Sequence, residues 1–154
     1  MTARALCAAV VLAAAAATRA ETLRCEFSGG SINSGVFNVV KKQWAWMEPR
    51  SPAEFYKGVK PGASFFYATA TYTPGERFGA LAGSFSVPAT DARTAEVAFG
   101  AGFVSLVDIT AAGSILTLTV ATERDRDGRY SAAYSSHAGN ALMILVSQYW
   151  GSCR

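Results

Sequence analysis

From residue 63 onward, apolar and β-branched positions recur in short runs, and each run is closed by a turn signal. Residues 63–73 are rich in aromatic and β-branched side chains and end at Tyr72-Thr73-Pro74-Gly75. Residues 78–87 and 93–99 flank Pro88-Ala89-Thr90-Asp91, and Gly100-Ala101-Gly102 leads into residues 103–110. After Ala111-Ala112-Gly113, Ile115, Thr117 and Thr119 alternate with Leu116, Leu118 and Val120, so a period of two assigns the two sets to opposite faces of a strand. Nearer the start, residues 23–27 and 36–40 each alternate well enough for a strand. The intervening Ser28-Gly29-Gly30-Ser31 reads as a turn, which makes the two a hairpin. Residues 41–62 lose the alternation; there Ser51-Pro52-Ala53-Glu54 is a capping box with proline at the first helical position, and Gly58 is a stop. The pattern predicts an all-β fold of about eight antiparallel strands, a barrel or a sandwich, with one short helix.

The first twenty residues obey a different rule. Arg4 supplies a short positive region, residues 5–17 are an unbroken small and apolar run, and Thr18-Arg19-Ala20 puts small residues where a signal peptidase inspects. The reading is a signal peptide over residues 1–20 and a single domain over 21–154, exported to the periplasm or beyond the cell. Cys7 precedes most of the apolar run, which is the wrong place for a lipid-modified cysteine. Later stretches are broken by Gly, Pro and charges, so no membrane-spanning helix is expected. Charge changes with this division. The chain has 14 Lys and Arg against 11 Asp and Glu, but Arg4 and Arg19 leave with the signal, and a balance of 12 against 11 gives no reason to expect nucleic-acid binding.

Cys25 and Cys153 are the two cysteines left in a chain sent to an oxidising compartment, and an even count there predicts a disulfide. The bridge makes the first and last strands neighbours, as in a sheet closed on itself.

Candidate chemistry is sparse. Asp125, Asp127 and their neighbours have the acidic spacing of a calcium-loop opening. The twelfth loop position is Tyr134 and not glutamate, and interleaved arginines neutralise the carboxylates, so residues 123–128 read as a polar hairpin turn. His137, the only histidine, could be oriented by Asp108 as a general base. Adjacent Ser136 points to the opposite face, however, and no nucleophile-elbow motif is present. A contact or structural role is the simpler reading of His137. No metal, cofactor or catalytic residue is assigned. Residues 41–60 carry Lys41, Lys42, Arg50, Lys57 and Lys60 against two glutamates, interleaved with Trp44 and Trp46. Aromatics beside cations make a candidate face for a partner or ligand. Trp150, within the apolar tail, is read as core if that tail strand is buried.

The tail, from Gly128-Arg129-Tyr130 through His137 to Ser147-Gln148-Tyr149-Trp150-Gly151-Ser152-Cys153, resembles a largely uncharacterised group of small exported bacterial proteins ending in Ser-Gln-Tyr-(Tyr/Trp)-Gly-x-Cys. In that group an arginine precedes the histidine, where this chain has Ser136, and the resemblance brings no activity. More loosely, the chain resembles the periplasmic inhibitors of c-type lysozyme, which are small disulfide-tied antiparallel barrels. That resemblance implies an inhibitory loop at Gly128-Arg129-Tyr130, with Tyr130 as a contact, but the lysine those inhibitors supply has no counterpart after Lys60. The sequence therefore points to a non-enzymatic binding module whose partner is an unknown protein or small ligand. The alternatives are a lysozyme-inhibitor-like protein, a carrier of a small apolar ligand and a hydrolase using His137.

Overall fold

The computed structural model describes residues 18–46, 59–85, 87–139 and 142–154. Among them all regular structure is strand: β1 (Glu21–Asn38), β2 (Gln43–Trp46), β3 (Phe66–Tyr72), β4 (Phe78–Phe85), β5 (Arg93–Gly100), β6 (Phe103–Ile109), β7 (Ile115–Arg124), β8 (Tyr130–Gly139) and β9 (Met143–Cys153). The short helix expected over residues 51–58 lies outside the described residues. From β3 to β9 each strand pairs antiparallel with the next, β3 pairs with the first half of β1, and β1 pairs with β9. The result is a closed eight-strand barrel, with β2 an extra strand laid against the far half of β1.

One expectation is overturned. Residues 23–27 and 36–40 are not the arms of a hairpin; 23–27 and 36–38 belong to the single 18-residue strand β1, 39 and 40 to the turn that follows it, and Ser28-Gly29-Gly30-Ser31 runs straight through the strand. The irregularity that reads as a turn is taken up by two bulges against β9, between Phe27 and Gly29 and between Ser31 and Gly35. Glycines are used here for close approach. Gly30 sits at φ 143° with its α-carbon against the backbone of Gln148 and Tyr149. The actual hairpin reverses at residues 39–42, where Lys42 takes φ 51° and the Lys41 amide donates to Asn38 Oδ1 at 2.9 Å.

Alternation decides which side chains fill the barrel. In β7, Leu118 and Val120 are fully buried while Ile115 is exposed, the division expected from the sequence. The same parity puts Leu23, Cys25, Phe27, Ala68, Ala70, Leu81, Val97, Val104, Leu106, Ala132 and Tyr149 inside. The outer face mixes Thr and Ser, some joined across strands as Ser105 is to Thr119 at 2.8 Å, with charged residues and with exposed apolar side chains such as Phe103, Ile109, Ile115 and Trp150.

The disulfide lies on the closing seam. Cys25 and Cys153 face each other in register on β1 and β9, both buried, and are bonded across a sequence separation of 128. Next to them Arg24 and Arg154 exchange a pair of backbone hydrogen bonds of 3.0 Å. Outside this seam Trp150 lies against the wall over Gly29, whose missing side chain leaves room for the indole. Trp150 is therefore not core: it faces outward and is 56% exposed.

Candidate functional site

The two ends of the barrel differ. At the end where β3 begins and β4 finishes, the interior is plugged by rings: Phe66 lies 4.5 Å from Tyr134 and 4.9 Å from Phe85, and Phe65 meets Tyr149 edge-on at 5.2 Å. Beside this plug, Asp108 points inward, nearly fully buried, and is bound by Arg93, whose Nε donates to Asp108 Oδ2 at 2.7 Å. Burial pushes the Tyr134 phenol well above its ordinary range, Tyr149 and Asp108 add to the rise, and Arg93 opposes it.

The other end is open. A cavity of about 270 Å³ enters the barrel between the turns that follow β3, β5 and β7. Its floor is Leu23, Val104 and Val120, and its walls are Tyr72, Phe99 and Tyr130, with Glu21 and Thr122 at the rim. Each wall ring sits at or next to the end of its strand on an inward position, so closure of the sheet turns three distant aromatics into one collar. The rim is polar and organised. Tyr72 donates its hydroxyl to Glu21 Oε2 at 2.9 Å. Burial, then that bond and the carboxylate charge, raise its phenol to about 12, so it stays protonated as a donor. Tyr130 Oη accepts from Arg124 Nε at 2.9 Å, with the guanidinium 4.9 Å above the ring, which leaves its own proton for a guest. The mouth can hold an apolar body and meet one polar head with Glu21 and the Tyr130 hydroxyl.

A second hollow of about 400 Å³ lies on the outer wall, over β1 and β3 and under Pro88 and Ala89. It is bordered by Arg24, Glu26, Tyr67 and Arg154, and Arg154 reaches Glu26 at 3.4 Å. Although larger, it is a surface trough among charges, whereas the mouth is a concave apolar interior of the kind that desolvates a ligand.

The residues expected from sequence are scattered. His137 pairs with Ile115 and Val146 on the outer face, whereas Asp108 is inside, so the sheet separates the histidine from the carboxylate considered as its orienter. Tyr130 is turned into the mouth instead of standing on a protruding loop, and Arg129 reaches Ser152 Oγ at 3.3 Å. In the turn at residues 125–129, Asp125 Oδ1 accepts from the amides of Asp127 and Arg129, each at 2.9 Å. That makes a hairpin turn closed by its own aspartate. Among the described residues no group of three or more potential metal ligands gathers. Lys41, Lys42 and Trp44 lie together at the tip of the β1–β2 hairpin, and Lys60 is exposed ahead of β3. Trp46 is in β2 opposite Gly35, and Arg50 and Lys57 lie outside the described residues.

The mouth residues Glu21, Leu23, Tyr72, Phe99, Val104, Val120 and Thr122 were not legible as a site. They come from five strands and share only inward parity and, for most, a position near a strand end. No family model, curated protein or solved structure matches the chain.

Proposed function

We propose that the protein is an exported, non-enzymatic binding module that takes a small, largely apolar ligand into the mouth of its barrel. The observation that carries the reading is the cavity of about 270 Å³ with an apolar floor, an aromatic collar and a hydrogen-bonding rim. A dry cavity of about 150 Å³ suffices for benzene, so this one suits a one- or two-ring compound or a short acyl chain. Export is supported by the signal-like residues 1–20 and by the Cys25–Cys153 bridge, which persists in an oxidising compartment. Among the described residues no helix is long and apolar enough to cross a membrane.

The test is titration of the purified protein with the apolar fluorescent dye N-phenyl-1-naphthylamine. Saturable one-to-one binding is expected, weakened at least about tenfold in Thr122→Trp, where the indole lies across the mouth without entering the packed core. Absence of saturable binding, or equal affinity in the variant, would sink the reading.

A further inference from the structure

Among the described residues that line the mouth, Glu21 is the one that carries a charge. Its Oε2 accepts from the Tyr72 hydroxyl at 2.9 Å, and Oε1 takes no hydrogen bond among the described residues. Nor is the carboxylate held in an ion pair there. Arg77 is taken by Glu96 at 3.0 Å, and Arg124 is bonded to the Tyr130 hydroxyl and does not line the cavity. Beside Glu21, the Tyr72 and Phe99 rings stand edge to face with centroids 6.0 Å apart, an aromatic corner in the wall of the mouth.

We infer that the guest of the mouth is an organic cation, a compact apolar body of one or two rings whose protonated or quaternary amine stops at Glu21. The inference rests on the mouth being the binding site and names the chemistry it selects. The floor of Leu23, Val104 and Val120 receives the body and has no side-chain polar group to offer it. As the body enters, water around Glu21 is displaced, and a carboxylate that loses water without gaining a counter-charge is costly. A neutral head uses the Tyr130 hydroxyl but leaves that charge uncompensated, and an anionic head is repelled by it. A cationic head answers the carboxylate directly. Its positive charge is also attracted to the electron-rich faces of Tyr72 and Phe99, an attraction that grows as the site is desolvated.

The experiment is calorimetric titration of the purified, oxidised protein, at neutral pH and low salt, with three probes that share one naphthyl body: naphthylmethylammonium, naphthylmethanol and naphthoate. The ammonium is expected to bind about tenfold tighter than the alcohol and about 100-fold tighter than the carboxylate. In Glu21→Gln, whose side-chain carbonyl still accepts from Tyr72, the preference for ammonium over alcohol should fall below about twofold. Glu21 is exposed at the start of β1, so the variant is expected to fold as the parent does. Equal affinity for ammonium and alcohol in the parent, or a preference that persists in the variant, overturns the inference and leaves the mouth standing as an apolar site. If none of the three probes binds, the inference falls, and binding of N-phenyl-1-naphthylamine decides whether the reading of the mouth falls with it.

Discussion

Tyr72 shows how one side chain can serve both the fold and the site. Its ring forms part of the mouth collar while its hydroxyl is committed to Glu21, and its pKa is raised to about 12 from an ordinary value near 10. A phenol with a folded pKa above its unfolded one contributes stability that is fully present below about pH 10 and is lost as pH rises toward about 12. Melting temperatures measured from pH 8 to pH 12 should therefore be level at first and then fall, and Tyr72→Phe should fall less steeply over that interval. Identical slopes in the two proteins would mean that ionisation of Tyr72 is not a source of the loss. Asp108 is the contrasting case. It too is a polar group inside the barrel, but it is bound by a half-exposed arginine and belongs to the plugged end, away from the cavity.

At the scale of the strand, β7 states its own orientation in sequence, because six consecutive residues alternate without interruption. Leu118→Ala should cost about 2 to 5 kcal/mol, since it removes a fully buried side chain, while Thr119→Ala on the outer face should cost less than about 1 kcal/mol. Chemical denaturation of the two variants checks this, and comparable losses would contradict the assigned faces. β1 was misread for an equally physical reason. Ser28-Gly29-Gly30-Ser31 has the composition of a turn, yet its glycines serve contact: Gly29 makes room for the Trp150 indole and Gly30 for the backbone of β9. Composition alone does not separate a chain that must reverse from one that must be approached closely. Trp150 was misplaced by the same ambiguity, because an apolar tail strand does not reveal which of its two faces an aromatic occupies until its partners are known. The cysteine pair was legible because a signal-like start leaves two cysteines after it, and an even pair has one simple outcome. The mouth was not, because its residues lie far apart in sequence and meet only when the sheet closes.

For the whole molecule, the seam between β1 and β9 is where that closure happens, and it joins segments 128 residues apart. Cross-linking so long a loop stabilises by about 5 kcal/mol in the chain-entropy account. Cys153→Ser should accordingly lower the melting temperature by on the order of 15 °C, with reduction of the parent having the same effect. An unchanged melt would show that the strand pairing holds the seam unaided. The assembled barrel then has two unlike ends, an open mouth at one and a plug of rings at the other.

The ladder at the seam also bears on the order of the chain itself. Arg24 and Arg154 are bonded backbone to backbone, so the eight strands of the barrel form a circuit with no gap between β9 and β1, and β2 lies beside it. In such a circuit the point at which the polypeptide is opened is a matter of genetic convenience. A short peptide across this junction, with fresh ends cut at the exposed turn of Ala111-Ala112-Gly113, would preserve every neighbour relation in the sheet. The bridge between Cys25 and Cys153 would then span only a short loop, and most of its entropic contribution would pass to the peptide bond.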